Sequence, residues 1–405
     1  MEGTGLCGRI GAPMLPLEGI TVVTVEQAVS APFASRHLAD LGARVIKIER
    51  PEVGDFARGY DTTVNGLASH FVWVNRGKES LTLDLKRSEG LEVLGRLVAR
   101  ADVFLHNLAP GAMARLGFGT DVVRRAHPRL IVCEVSGYGT SGPYRDKKAY
   151  DLLVQSEAGL VSVTGTPETP SKVGVSIADT ASGMYAFSSI LAALLQRGRT
   201  GEGSAIDISM FESLGEWMGY AAYFSGFGGP PLPRTGARHA TIAPYGPYAA
   251  GDGKAVFLGI QNEREWAKFC ADGLGRPELA DDPRFNSNPG RVAHSAELDP
   301  LIVAAFATLT AEAVAARLQT LGIAHARMNT MTEFVGHPQL AARDRWRQVG
   351  SEAGPIPALL PPFNIDSVDP VMGPVPALGQ HTDAVLGELG YDAATIDAWR
   401  RAGIV

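Results

Sequence analysis

Asp179 stands in the string GVSIADTASGMY, at the start of a long apolar segment. A carboxylate in the first turn of a helix is stabilised as the anion by the helix N-terminus, by about 0.3–1 kcal/mol. An aspartate held ionised there has the character of a carboxylate nucleophile. Ser182 and Gly183 follow one turn on, where small side chains leave space for a substrate. The plainer alternative is that Asp179 is an N-cap, a position aspartate favours without any further role. Tyr150-Asp151 opens the helical run DLLVQSEAGL. Asp151 is again an N-cap candidate, and Tyr150 suits either a packed aromatic with a hydrogen-bonded hydroxyl or a donor to substrate. The loop GYGTSGPY, beginning at Gly137 and Tyr138, is glycine-rich enough for its backbone to approach a ligand closely. Arg234 and His239 lie in PRTGARHATIAPYGPY, and each is either a grip for a carboxylate or an exposed surface group.

A second constellation is basic. Lys47 and Arg50 end one apolar run, Arg76 and Lys78 sit in the turn NRGKES, and Lys86 and Arg87 follow the next run. In parallel-sheet folds ligands gather at the carboxyl ends of strands, and a phosphate-rich ligand uses such cations through charge-assisted hydrogen bonds. A solvated sheet rim is the alternative. Other chemistries lack their residues. The turn after Val25 reads EQAVSAP in place of a glycine fingerprint, and no P-loop, H-E-x-x-H, C-x-x-C or G-x-S-x-G string occurs. The remaining histidines, His106 among them, show no ligand spacing, so no metal site is expected. Cys7, Cys133 and Cys270 are odd in number and far apart, which predicts free thiols in a reducing compartment. A net charge of −6 argues against a nucleic-acid partner held by a global basic field. The apolar run Leu301–Leu309 is too short for a bilayer, and no basic-then-apolar leader pattern opens the chain. The expectation is a cytoplasmic protein with no membrane partner.

The elements that must position these residues alternate in type. ITVVTV (20–25) and RVIKIE (44–49) are β-branched strands flanking a helix with Ser30 as its cap and Pro32 in its first turn. Further strands are expected at 81–85, 103–105 and 130–135, with a helix from Ser88 between the first two. This alternation predicts an α/β fold with a parallel sheet. A long buried helix covers 180–196, then a strand at 205–208 and a helix at 211–224. Segments 225–247 and 350–376, dense in Gly and Pro, read as irregular connections. Between them lies a smaller α+β unit with a hairpin turning at Gly251-Asp252-Gly253. Helices at 382–389 and 393–402 close the chain. Gly 47 and Pro 26 among 405 residues exceed the usual combined share of about 12%, as a turn-rich chain requires.

As a set, LADLGARVIKIERPEVGD, NRGKESLTLDLK, DVFLHNLAPGAMARLGFG, SGYGTSGPY, DTASGMYAFSSILAALLQR, TGEGSAIDISMFES and GQHTDAVLGELGY resemble the family III CoA transferases, also called the CaiB/BaiF family. The resemblance runs from about Leu17 nearly to the C-terminus. It implies a large Rossmann-like domain (17–224 and 377–405), a linker at 225–247, a small domain at 248–330 and a return linker at 331–376. It also implies an interlocked homodimer. The family's catalytic aspartate falls on Asp179, and its CoA contacts fall on Val29, Arg50, Arg76, Asn107, Leu108 and Arg115. Family members carry Lys where Arg76 stands, and Lys where Ser136 stands. The implied reaction moves CoA from an acyl-CoA, such as succinyl-CoA, to a short carboxylic or dicarboxylic acid through aspartyl anhydride and aspartyl-CoA thioester intermediates. CoA and acyl-CoA are substrates, and no tightly bound cofactor is implied. Tyr150-Asp151 replaces the His-Asp pair of the family's racemases, which favours a transferase over an α-methylacyl-CoA epimerase. A non-catalytic acyl-CoA-binding protein is the third reading.

Overall fold

The structure, a computed structural model, describes residues 14–405; Cys7 and the arm predicted at the N-terminus up to residue 13 lie outside the described residues. The chain divides into two compact units. One comprises the chain up to Ala158, Gly174–Gly219 and Asp344–Val405; the other comprises Gly159–Val173 and Tyr220–Arg343.

The first unit is built on β1 (Thr21–Val25), β2 (Arg44–Glu49), β3 (Lys78–Thr82), β4 (Val103–His106), β5 (Ile131–Ser136) and β6 (Ala205–Ser209). They form one sheet in the order β3-β2-β1-β4-β5-β6, with every neighbouring pair parallel. The order reverses between β1 and β4, and open sheets of this kind bind ligands outside the strand ends at that reversal. Side chains alternate between two faces, so each strand feeds two cores. On one face, Val22, Val45, Leu105 and Cys133 pack under α1 (Ser30–Asp40). On the other, Val23, Ile46, Leu81 and Phe104 pack under α3 (Ser88–Val98), which follows the short α2 (Ser69–Asn75). Two short helices, α4 (Ala112–Arg115) and α5 (Thr120–Ala126), lead from β4 to β5, and α6 (Asp151–Glu157) follows β5.

The helix α7 (Ile177–Thr200) completes the first face, with Ala186, Phe187, Ile190 and Ala193 in its core. By length and composition it is apolar enough to cross a membrane. Here it is packed on α1 and the sheet, and Arg197 near its end pairs with Asp102 at 2.9 Å. Its Gly183 is required by contact: a Cβ there would stand 2.6 Å from the Ser30 carbonyl oxygen of α1. After β6 comes α8 (Met210–Trp217).

The second unit has an antiparallel sheet of β7 (Tyr245–Ala249), β8 (Ala255–Gly259) and β9 (Ala324–Arg327). Helices α9 (Ser295–Phe306) and α10 (Ala311–Leu321) supply Leu298, Ile302, Phe306, Val314 and Leu318 to a core around Trp266, Phe269 and Phe285. The resemblance implied a small domain at 248–330; this unit takes in Gly159–Val173 and Tyr220–Arg343. The segment 159–173 joins it because Gly236 N–H donates to the Gly165 carbonyl at 2.8 Å and the Arg234 guanidinium binds three carbonyls of that segment. Such long-range contacts leave no mark on local composition. The chain returns to the first unit through a hairpin, β10 (Trp346–Val349) and β11 (Ile356–Leu359), then α11 (Thr382–Glu388) and α12 (Ala393–Arg401).

Three local expectations shift. Strand β3 lies at 78–82 instead of 81–85, because Lys78 and Ser80 are buried in polar contacts that an apolar pattern does not reveal. Ser30 is the first residue of α1, and the cap position is Val29, with no side-chain cap bond. The β10–β11 hairpin begins before, and ends inside, the stretch read as irregular. Its Pro357 sits in a two-stranded ribbon, where a missing N–H is tolerated.

Candidate active site

Asp179 lies in the first turn of α7. It does not cap that helix; Asp151 does. The Asp151 Oδ1 accepts from the backbone N–H of Ala178 at 2.7 Å and of Asp179 at 3.2 Å, and its Oδ2 accepts from Gln155 Nε2 at 2.6 Å. One carboxylate therefore takes the helix donors that sequence reasoning assigned to the other. Deprived of them, the Asp179 carboxyl is pushed up from 3.8 to about 7, first by burial and second by the Asp151 charge. The expectation that the helix end keeps Asp179 ionised is thus corrected. Near neutral pH its acid and carboxylate forms are comparably populated. Such a value matches a group that must attack as an anion and later leave.

The approach to Asp151 depends on Gly137. A Cβ at Gly137 would stand 2.2 Å from the Ala149 Cβ, so only glycine lets the chain before Tyr150-Asp151 pass there. Tyr150 is 70% exposed beside this carboxylate pair. A residue that sequence reasoning missed joins them: Tyr60. Its phenol is raised by burial and by the nearby Asp55, Asp179 and Tyr150. The signal available was an aromatic at the end of GDFARGY, directly after the basic Arg50 turn. Tyr138 instead belongs to an aromatic cluster with Tyr144 and Phe211, capped by Lys147, and its hydroxyl is buried without a hydrogen-bond partner. Ser136, where relatives were expected to carry Lys, pins the same loop by accepting from Gly139 N–H at 2.9 Å.

At the carboxyl ends of β1, β2 and β3 lies a cavity of about 330 Å³. Val25, Ile48, Leu83, Leu108 and Leu116 make its apolar lining, with Arg50, Lys86 and Arg115 among its polar side chains. Arg50 and Arg115 each make only a long bond to a local carbonyl, 3.3 Å to Gly54 and 3.4 Å to Pro110, which leaves most of their N–H groups for a ligand. An apolar slot with three cations suits a flat base carrying phosphates. Four carboxylates also line it: Glu26, Glu49 and Asp55 are neutralised from within by Lys78, Arg58 and Lys47, and Asp84 accepts from the Lys86 N–H at 2.9 Å. Asn107 stands at the strand reversal and ties β4 to the turn after β1, accepting from Gln27 N–H at 2.9 Å and donating to the Gln27 carbonyl at 2.8 Å. Val29, another expected CoA contact, is 2% exposed and does not line this cavity.

Two expected ligand contacts are engaged elsewhere. Arg76 is buried and makes a two-bond pair with Asp40, at 2.9 and 2.8 Å, beside Arg36. It does not line the cavity that gathers Arg50, Leu108 and Arg115. In the second unit, the Arg234 guanidinium donates to the carbonyls of Thr166 (2.9 Å), Pro167 (2.8 Å) and Ser162 (3.4 Å), so it holds backbone rather than a free carboxylate. His239 is exposed, stacks on Tyr245 and accepts from Thr241 N–H through Nδ1. Among the described residues no group of three or more His, Cys, Asp or Glu is arranged to hold a metal ion.

Comparison with known proteins bears on this geometry. The chain is 35% identical to an acyl-CoA transferase of Fusarium pseudograminearum, over 96% of this chain and 88% of that one. It is 33% identical to the succinyl-CoA:glutarate CoA-transferase of Mus musculus, over 97% of this chain and 91% of the mouse protein. A crystal structure of a CaiB/BaiF family protein from Brucella suis superimposes with a TM-score of 0.82 at 32% identity, covering 93% of this chain and 99% of the other. Residues 17–382 match the model of CoA-transferase family III, and the chain is a member of that enzyme family.

Proposed function

We propose that the protein moves CoA from an acyl-CoA, with succinyl-CoA the leading donor, to a short carboxylic or dicarboxylic acid, with Asp179 as nucleophile. The Asp179 carboxylate attacks the thioester carbonyl, the C–S bond breaks, and CoA thiolate leaves a mixed anhydride. The thiolate then attacks the aspartyl carbonyl, releasing the donor's acid and forming an aspartyl-CoA thioester. The acceptor carboxylate attacks that thioester, expels the thiolate again and forms a new anhydride. Attack of the thiolate on the acceptor's acyl carbon yields the new acyl-CoA and restores Asp179. The thioester's energy is retained through each acyl link rather than lost to water.

One observation carries this reading: the Asp179 carboxyl, pushed up to about 7 by burial and by Asp151, lies in the first turn of a helix whose Gly183 packs against the Ser30 carbonyl at the start of α1. Binding at Arg50, Lys86 and Arg115 would fix the nucleotide, and Tyr60 and Tyr150 would flank the thioester end. The relatives named for succinyl-CoA and glutarate support a dicarboxylate partner. We also propose the homodimer. The first unit leaves Leu195 and Trp217 exposed, and the second leaves Tyr223 and Phe227 72% and 82% exposed; these are side chains that a second copy would cover.

The test is Asp179→Ala. Transfer between acyl-CoA and acid should vanish while CoA still binds, and borohydride should trap a wild-type adduct on peptide 173–184. Near-normal turnover in the variant would overturn the assignment. Solvent deuterium entering the acyl α-carbon without any acceptor acid would point to an epimerase instead.

A further inference from the structure

We infer that the buried Lys47–Asp55 pair is a positioning device for CoA binding, because it pins Ala28 in a left-handed turn at the reversal point of the sheet. This rests on the reading that CoA occupies the cavity at the ends of β1–β3. Ala28 has φ +61°, a conformation that costs a residue with a Cβ and persists only where its surroundings impose it. Two clamps hold the segment. From β4, Asn107 binds both peptide groups of Gln27 and donates to Ser30 Oγ at 3.1 Å. From the loop after β2, Asp55 Oδ1 accepts from Ala28 N–H at 3.1 Å and from Ala57 N–H at 2.9 Å. Its Oδ2 accepts from Lys47 Nζ at 2.8 Å, and its own N–H donates to Glu49 Oε1 at 3.0 Å.

Both side chains of this ion pair have 0% exposure. A fully buried pair is seldom a net gain over apolar residues of the same size, so its retention calls for a further role. The role follows from where the pinned turn lies. Glu26, Gln27 and Asp55 line the cavity on one side. On the other, the carbonyl of Ser30 is the group that Gly183 of α7 approaches, one turn from Asp179. The turn is therefore the piece of backbone between nucleotide slot and nucleophile. If Ala28 relaxes to the right-handed region, the peptide planes on both its sides rotate. Ligand affinity then falls in proportion to the population still in the pinned form.

The experiment measures the Kd of free CoA by calorimetry. Leu108→Trp, which fills the cavity, is the control for the underlying reading: unchanged affinity there shows that CoA binds elsewhere. With that control passed, Asp55→Ala, which removes the acceptor of the Ala28 N–H, should weaken CoA by about tenfold, equivalent to about 1.4 kcal/mol. Adding Ala28→Gly to Asp55→Ala should recover most of the loss, because glycine adopts φ near +60° without the steric cost alanine carries there. A merely structural role for Asp55 would not be relieved by a glycine at position 28. Should Asp55→Ala fail to fold, Lys47→Met with Asp55→Leu removes both charges and leaves neither buried alone; the same loss and the same rescue are expected. Wild-type affinity in the folded clamp variant, or a loss that Ala28→Gly does not relieve, overturns the inference.

Discussion

Replacing Asp151 by Asn separates two things that one side chain does. Asparagine caps a helix about as well as aspartate, so the bonds to Ala178 and Asp179 N–H survive. What disappears is the negative charge, together with the second oxygen that accepts from Gln155 Nε2. At the helix end that charge contributes about 0.3–1 kcal/mol, so the melting temperature should fall only slightly. At Asp179 the effect runs the other way. Burial is the larger cause of its rise from 3.8 to about 7, and the Asp151 charge is the second. Removing the second cause should lower the Asp179 value by about one pH unit, or about 1.4 kcal/mol, leaving burial to keep it above an ordinary aspartate. The acid limb of kcat/KM, measured in parallel for both proteins from pH 5 to 9, should therefore shift to lower pH in Asp151→Asn. Titration of the CoA phosphate is common to both profiles and cancels. Transfer at low pH gains from the larger anion fraction; at high pH it declines modestly, because a less basic carboxylate is a weaker nucleophile. An acid limb that stays put, or moves upward, would refute the claim that Asp151 tunes Asp179.

Other expectations follow from the same contacts. Asp179→Asn should stabilise the protein above neutral pH and not below pH 4: a carboxyl with a raised folded value favours folding only when protonated, and that contribution is lost as pH rises through about 7. Thermal melts at pH 8 should show a gain of roughly 1–3 kcal/mol, and equal melts at both pH values would contradict the burial argument. Arg50→Ala and Arg115→Ala should each raise the KM for acyl-CoA about tenfold with little change in kcat, since phosphate contacts are equal in ground and transition states. Arg76→Ala should instead cost stability, about 3 kcal/mol by denaturant titration, because it breaks a buried pair with Asp40. Gly183→Ala should destabilise by about 1–3 kcal/mol through overpacking on the Ser30 carbonyl.

Much of the scaffold could be read from pattern. ITVVTV and RVIKIE are β-branched runs separated by one helix, and they became adjacent parallel strands with Thr21 opposite Arg44. Where buried groups are polar the pattern misleads, as at β3, whose Lys78 donates to Glu26 at 2.7 Å inside the core. The basic cluster was visible as a cluster, but composition does not distinguish a rim cation from a buried one. Arg50 and Arg76 look alike in sequence; one lines the cavity, and the other lies under Asp40. Arg234 shows the same ambiguity, resolved by carbonyls far away in the chain. Asp179 could be singled out as a place, but not as a titrating group, because its environment is set by an aspartate on another helix.

That last contact explains why the cap of α7 is charged at all. Asparagine, with the same reach, would satisfy the Ala178 and Asp179 donors without placing an anion beside Asp179. With aspartate in the role, the favourable interaction of the Asp151 anion with the helix end offsets part of the cost of repelling Asp179. The helix thus supports a second carboxyl that is left without the helix donors Asp151 takes and close to its point of protonation. In the proposed reaction Asp179 must be a good nucleophile toward a thioester and then a good enough leaving group from its own anhydride and thioester, and a carboxyl poised near neutral pH serves both directions. Asp151→Ser, whose hydroxyl is one bond too short for those donors, removes cap and charge together: it should cost more stability than Asp151→Asn while moving the acid limb downward in the same way. If the serine variant kept the wild-type pH profile, the charge of Asp151 would be a cap and nothing more, and the poise of Asp179 would rest on burial alone.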